Sequence, residues 1–289
     1  MKIIKTLFLL LLCTAAFAQK KELPEDVVAS IKSRIEFGLT PSIVVGIIDK
    51  DGMHFYSFGT KTVGGEPVDE HSIYEIGSIS KTFTATLLAD NIVKGKMKVD
   101  DPISKYLPAS VKVPTYKGGG PPITLGHLSD HTSSMLRMPT NMPESDPTDP
   151  AADYTPELMY AFLSSYELPR EVGSEYEYSN FAVGVLGQIQ ALAAGTSYEE
   201  ALTSVITSPL KMKETAITLS PKMKENLAVG HSMGMPVNNW DLNAMQGAGG
   251  IRSSAHDMLL YLSANLGLTK SQLSKAMELT HTPRHDKAG

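Results

Sequence analysis

The sequence predicts an α+β fold in which an antiparallel hairpin precedes a long, mainly helical region. Three observations predict it. Ser42 to Asp49 is a β-branched run, Asp49-Lys50-Asp51-Gly52 carries the chemistry of a tight turn, and Met53 to Gly59 alternates as a partner strand. From about residue 78 to residue 282 the apolar spacing is helical, broken by Pro, Gly, Ser and Asn loops such as 117–122 and 139–150. With 42% hydrophobic and 20% charged residues over 289 positions, the chain can bury a substantial core, and no internal repeat points to a solenoid.

Residues 1–18 read as a secretory signal peptide. Lys2 and Lys5 give a positive start, Thr6 to Phe17 is mostly apolar, and Ala16-Phe17-Ala18 offers small residues at a cleavage site. The apolar run is short of the roughly 20 residues that span a bilayer, so the reading is a cleaved leader rather than an anchor. Leu12 before Cys13 is too large for a lipoprotein signal. A mature chain from Gln19 carries 24 basic and 31 acidic residues, a net charge of −7, and no cysteine. Its stability must come from packing rather than disulfides. An acidic balance without clustered Lys and Arg excludes nucleic acid as a partner.

Pro24-Glu25-Asp26 opens a helix with Val27, Val28, Ile31 and Ile35 on one face, stopping at Gly38. The hairpin at 42–59 follows. A two-stranded sheet is marginal alone, so it either pairs with strands this chain does not contain or packs on helices as an incomplete sheet. Further on, Thr155-Pro156, the capping box Ser197-Tyr198-Glu199-Glu200, and Ser254-Ala255-His256-Asp257 leading to Gly267 mark helix starts.

Gly77-Ser78-Ile79-Ser80-Lys81 holds an S-x-x-K pattern at the start of a helix whose apolar residues are Phe83, Leu87, Leu88 and Ile92. Residues three apart share a helix face, so the Lys81 amine can lie against the Ser78 hydroxyl. A serine needs such help, because its hydroxyl is a poor nucleophile until a neighbouring base takes the proton. The plainer reading makes Ser78 or Ser80 an N-cap and Lys81 a solvated side chain. The motif is weak alone, since Ser208-Pro209-Leu210-Lys211 matches it too. Tyr178-Ser179-Asn180 precedes a helix from Phe181 to Ala194, and alternate residues of an extended loop point the same way. A tyrosine and an amide so placed can serve as base and substrate-orienting donor. Alternatively, Asn180 is simply a helix N-cap.

Taken jointly, the two motifs resemble the penicillin-binding protein and class C β-lactamase-related serine hydrolases. The likeness runs over about residues 24 to 282. It includes Ile123-Thr124-Leu125 through His131-Thr132-Ser133, Arg137-Met138-Pro139-Thr140-Asn141, Pro209-Leu210-Lys211-Met212, and Gly247-Ala248-Gly249-Gly250-Ile251-Arg252-Ser253-Ser254. The resemblance implies that Ser78 is the acylated nucleophile, Lys81 its activating amine and Tyr178 the base shared between acylation and deacylation. Asn180 would hold the substrate's amide side chain. The implied fold is a helical domain inserted in an antiparallel-sheet α/β domain. Residues 24–77 form the helix and hairpin of the α/β part, and 78–282 the mainly helical part carrying both motifs.

Two departures accompany the resemblance. His131-Thr132-Ser133-Ser134 has Ser134 where the family usually has glycine, a change tolerated only if Ser134 accepts the backbone angle. The family's third element, Lys-Thr-Gly or His-x-Gly, has no match, since Lys61-Thr62-Val63 and His281-Thr282-Pro283 lack the glycine. On this reading the C-terminal strands of the sheet are missing beyond Gly289. The strand that supplies the second oxyanion donor goes with them, and losing one such donor costs about 10²–10³ in rate. The resulting expectation is a weakly active or inactive chain prone to associate through an open sheet edge. An incomplete reading frame explains the same absence.

The rival nucleophile is Ser232, in Gly230-His231-Ser232-Met233-Gly234, a full G-x-S-x-G match. Its surroundings lack the buried strand and following helix of a nucleophile elbow, so a loop leading to Trp240 is the better reading. The eight histidines show no metal-ligand spacing, and Pro283 between His281 and His285 breaks the helical one. Ser129-Asp130-His131 reads as a loop end packed near the cleft. Gly247 to Gly250 reads as backbone passing close to the cleft wall rather than a phosphate loop. Met135, Met138 and Met142 read as core or loop packing ahead of the alternative, the lining of a substrate entrance. The sequence therefore points to an exported, periplasmic or extracellular serine hydrolase that needs no cofactor or metal and acts on a β-lactam, a D-Ala-D-Ala peptide or a small ester. The alternatives are a catalytically impaired member, a penicillin-acylated binding module or a hydrolase using Ser232. Its partner is a small-molecule or cell-wall peptide substrate, with no membrane contact after leader cleavage, and its oligomeric state is left open.

Overall fold

The chain, seen in a computed structural model that describes residues 22–284, joins helices and short antiparallel sheets in the predicted α+β manner. The leader expected at 1–18 and His285 lie outside the described residues. Helix α1 (Glu25–Glu36) has Glu25 and Asp26 in its first turn, where the helix dipole favours acids, and is followed by Gly38 at φ +69°. Its inward face is narrower than expected: Ile31 is buried, Val28 and Ile35 are half-buried, and Val27 is exposed.

Strands β1 (Ser42–Asp49) and β2 (Gly52–Gly59) pair antiparallel, with Ser42 opposite Gly59 and Asp49 opposite Gly52. The turn closes as its sequence indicates, since the Asp49 carboxylate accepts the Asp51 N–H at 2.8 Å and Gly52 takes φ +122°. Among the described residues the hairpin pairs with no further strand and packs on helices. Helix α1 lies on β2. On β1 lies the helix Ala255–Asn265, whose Leu259 approaches so closely that a Cβ at Gly46 would sit 3.0 Å from its Cγ.

Two pairings escape the sequence reading. Strands β3 (Ile73–Glu75) and β6 (Arg252–Ser254) form a three-residue antiparallel ribbon, too short to show period-two alternation. Strands β4 (Gly230–Ser232) and β5 (Met235–Val237) form a hairpin turned by Met233 at φ 53° and Gly234 at φ 78°. The segment read as a loop to Trp240 is therefore a surface hairpin.

The remaining helices are α2 (Ser80–Val93), α3 (Leu125–Ser129), α4 (Pro156–Ser165), α5 (Asn180–Ala194), α6 (Tyr198–Leu202), α7 (Pro221–Glu225), α8 (Gln246–Gly249), α9 (Ala255–Asn265) and α10 (Ser274–Thr280). The cap signals hold: Thr155 caps α4, Ser197 and Glu200 close a capping box on α6, and Ser254 caps α9 ahead of Gly267 at φ 71°. Helix α2 feeds both apolar clusters. Leu88 joins Leu125, Leu128, Tyr154, Met159, Phe181 and Ile189. Phe83 and Leu87 join Tyr198, Leu202, Ile251, Tyr261 and Met277, with the Phe83 and Tyr261 rings stacked at 4.0 Å. Each such buried side chain contributes about 1.5–3 kcal/mol. The N-terminus of α2 is thus anchored from two sides. Met135 is buried in the first cluster, and Met138 and Met142 pack at its edge, as core or loop methionines do.

The candidate active site

Ser78 lies in a single 3₁₀ turn, Gly77–Ile79, that leads into α2. Gly77 takes φ +51°, a left-handed angle that a side chain resists, and this kink turns the chain from β3 into the helix. The turn is pinned on both sides to residue 251. Ile76 N donates to Ile251 O at 3.1 Å, and Ile251 N donates to the buried Ser80 Oγ at 3.2 Å. Ser80 is therefore a structural acceptor. Ser78 remains exposed.

One helical turn on, Lys81 Nζ donates to Ser78 Oγ at 3.2 Å and to the Ala248 carbonyl at 2.6 Å. Ala248 reaches Lys81 because α8 runs against α5 and α2 through glycines. A Cβ at Gly247 would stand 3.0 Å from Gly187 Cα and 3.1 Å from Thr84 Oγ1, and Thr84 Oγ1 donates to Gly247 O at 2.7 Å. The glycine run is thus backbone passing close to the site wall.

From the opposite side, Tyr178 OH donates to Ser78 Oγ at 2.6 Å. Its loop is held by the 131–137 segment. Glu177 N donates to His131 O at 2.8 Å, Ser179 N to His131 Nδ1 at 3.2 Å, and Ser179 Oγ to Leu136 O at 2.6 Å. His131 also lies against the Tyr178 ring at 4.5 Å between centroids, so Ser129-Asp130-His131 does end beside the site. Ser134 takes φ 62°, a left-handed angle that glycine adopts more readily, and its Oγ donates to Arg170 O at 2.9 Å. The hydroxyl thereby ties this strained position to a segment 36 residues on.

The electrostatics follow from this crowding. Burial is the largest influence on Lys81 and pushes its amine below the usual lysine range; the positive Arg137 adds to this, while Tyr178 opposes it. For Tyr178, burial acts to raise the phenol. Hydrogen bonds with Lys81 and Ser78, and the charges of Lys81 and Arg137, outweigh it and leave the phenol below its ordinary value. Arg137 Cζ stands 5.0 Å from the Tyr178 ring centroid and Lys81 Nζ 4.9 Å, both in cation–π range. His131 is held below the ordinary imidazole range, first by burial and then by Lys81. The arrangement is a serine hydroxyl between an amine and a phenol whose environment favours losing a proton, which is the composition of an activated nucleophile.

The structure brings Ser78, Lys81 and Tyr178 into direct contact. Asn180 is the first residue of α5 rather than its cap; Ser179 caps, accepting Ala182 N at 2.9 Å. The Asn180 amide donates to Met138 Sδ at 3.4 Å, and its N–H donates to Arg137 O at 2.9 Å. Ser232 lies apart on the solvent face of the β4–β5 hairpin beside Met233, which is 99% exposed, and no helix follows it. Sequence reasoning missed the electrostatic part played by Arg137 and the carbonyl of Ala248, because neither a cation poised over a ring nor a backbone acceptor leaves a mark in spacing. Spacing along the chain also groups no histidines for a metal, yet folding brings His71, Glu214 and His256 together.

The beta-lactamase family model matches residues 31–289. The chain is 30% identical over 293 residues to the D-alanyl-D-alanine-carboxypeptidase/endopeptidase AmpH of Escherichia coli strain K12, covering 98% of this chain and 74% of that protein. It is 29% identical over 266 residues to a beta-lactamase of the same strain, covering 91% and 67%. Among solved structures, a class C beta lactamase from Rhodobacter sphaeroides superposes with a TM-score of 0.76 at 28% identity, over 89% of this chain and 70% of that one.

Proposed function

The chain belongs to the beta-lactamase family, and from that membership and the contacts at Ser78 we propose an exported serine hydrolase that forms an acyl-enzyme on Ser78 Oγ. The observation that carries the reading is the pair of hydrogen bonds reaching Ser78 Oγ, from Tyr178 at 2.6 Å and Lys81 at 3.2 Å. In acylation, Ser78 Oγ attacks the substrate carbonyl and its proton passes to the Tyr178–Lys81 pair. The proton then goes to the leaving nitrogen or oxygen. In deacylation the same pair takes a proton from the water that attacks the ester carbonyl and passes it to Ser78 Oγ as the ester C–O bond breaks, freeing the acid and the serine. Lys81 keeps the phenol poised by its charge and is itself held by the Ala248 carbonyl. Asn180, beside Met138 at the start of α5, orients an amide side chain of the substrate.

The substrate class is a β-lactam, a D-Ala-D-Ala peptide or a small ester, in keeping with the named activities of the relatives. Export rests on the leader read at residues 1–18, and no described helix is long and apolar enough to cross a membrane. The test is intact-mass and peptide mapping of purified residues 19–289 after incubation with a fluorophosphonate and, separately, with a chromogenic cephalosporin. A single adduct on Ser78 with product release supports the hydrolase. A stoichiometric burst without turnover makes the protein an acylated binding module, and an adduct elsewhere, or none on folded protein, overturns the assignment.

A further inference from the structure

On the face where the β3–β6 ribbon meets the start of α9, His71, Glu214 and His256 present one ligand atom each, all within 4.8 Å of one another. They come from three segments: the turn before β3, the loop between α6 and α7, and the first turn of α9. We infer that these three side chains form a binding site for a divalent transition metal ion, zinc in the first instance, with water completing the coordination.

The donor set is two imidazoles and a carboxylate, the combination that suits borderline ions such as zinc rather than the all-oxygen sets of calcium and magnesium. Each donor is held from behind. His256 Nδ1 lies 3.2 Å from Asp257 Oδ1, an orienting contact of the carboxylate–histidine kind that leaves Nε2 for a metal. Glu214 accepts Ser254 Oγ at 2.7 Å, and its own N–H donates to the buried Asp257 at 2.6 Å. His71 is fixed by its N–H to Asp69 Oδ1 at 3.0 Å, and the His256 N–H donates to Glu70 O at 3.0 Å. One carboxylate, Asp257, thus organises both Glu214 and His256.

The surroundings favour a cation. Two of the donors already converge, His71 Nδ1 lying 3.0 Å from Glu214 Oε2. The two imidazole ring centroids lie 5.3 Å apart with their planes tilted by 38°, so both rings are at the same spot on the surface. Tetrahedral zinc places its ligand atoms about 3.3 Å apart, so the present spread closes with side-chain rotations of about 1 Å. His71 and His256 are partly exposed, which gives the ion an entry path without opening the core.

A metal here ties the turn before β3 to α9, which itself packs on β1. The ribbon that leads into Ser78 would then be stapled at its far end, so binding should register as stability rather than as catalysis. The test uses untagged wild-type protein stripped with chelator, titrated with zinc chloride, and followed by native mass spectrometry and thermal unfolding. Expected are one zinc per chain and a melting temperature raised by about 5–10 °C at a hundredfold excess over the Kd. His71→Ala and His256→Gln should each weaken binding at least about tenfold, with the zinc-induced shift of each variant read against its own apo melting temperature. Zinc binding equal in the His71→Ala/His256→Gln double variant, or no bound zinc in the wild type, overturns the site. Neither readout depends on Ser78.

Discussion

The Ala248 carbonyl stands 2.6 Å from Lys81 Nζ, which also lies 3.2 Å from Ser78 Oγ. A backbone acceptor in that position fixes where the lysine points, and with Ser78 it takes up two of the three ammonium protons. The orientation of Lys81 therefore depends on how closely α8 approaches α2 and α5. That approach depends on glycine.

Gly247→Ala puts a methyl 3.0 Å from Gly187 Cα and 3.1 Å from Thr84 Oγ1, atoms of packed helices that give way only slightly. We expect a loss of about 1–3 kcal/mol of stability from the overpacking. Acylation of Ser78 should fall further than stability does, because Ala248 moves with the backbone. Thermal unfolding alongside the rate of probe labelling separates the two effects, and an unchanged rate refutes the dependence.

Ser78→Ala removes the proposed nucleophile and should abolish the adduct. Tyr178→Phe keeps the ring and its packing but loses the hydroxyl, and is expected to slow acylation by about 10²–10⁴. Ser232→Ala, in contrast, touches only a solvent-facing hairpin and should leave stability within about 0.5 kcal/mol and labelling unchanged. Rates of covalent labelling for the three variants discriminate the Ser78 site from the G-x-S-x-G reading.

Lys81 and Tyr178 titrate as a coupled pair, both below their ordinary ranges. Losing a proton from the pair creates the base that Ser78 needs. Acylation should therefore rise with pH along a limb centred below the usual phenol and ammonium values, and fall as the pair is protonated. Arg137 lowers both groups by its charge. In Arg137→Gln the limb should move to higher pH, as measured by labelling rate against pH, and an unmoved limb rules out the electrostatic role.

Arg252 is buried and donates to Ile217 O at 2.9 Å, Trp240 O at 2.8 Å and Asp241 Oδ1 at 2.9 Å, joining three segments behind the β3–β6 ribbon. Lysine lacks the fork that serves these acceptors together. Arg252→Lys should cost about 1–3 kcal/mol, read from chemical denaturation, since buried acceptors lose partners. No change in midpoint would show that water replaces them.

Much of the local structure is legible residue by residue. Gly52 and the Asp49 side chain write the hairpin turn, Thr155-Pro156 and Ser197 with Glu200 write helix starts, and Gly38 and Gly267 write stops, because each satisfies orphan backbone groups within a few positions. The three-residue strands were not legible. A ribbon such as 73–75 with 252–254 is defined by a partner nearly two hundred residues away, and its sequence carries no alternation long enough to read. The hairpin at 230–237 is local, but its strands are three residues each and a non-glycine residue, Met233, takes the left-handed angle that glycine usually marks.

For the candidate site, the sequence by itself determined the serine–lysine pair, since i and i+3 on a helix must share a face, and it singled out Tyr178 and Asn180 by motif. Only the tertiary structure decided that Tyr178 meets Ser78 across a hundred residues and that Arg137 and His131 flank the phenol. It also decided that a backbone carbonyl holds the lysine. The grouping of His71, Glu214 and His256 belongs to the same class. Short-range geometry follows from covalent connectivity and backbone hydrogen bonding, whereas burial, charge proximity and ligand convergence exist only once distant segments have packed.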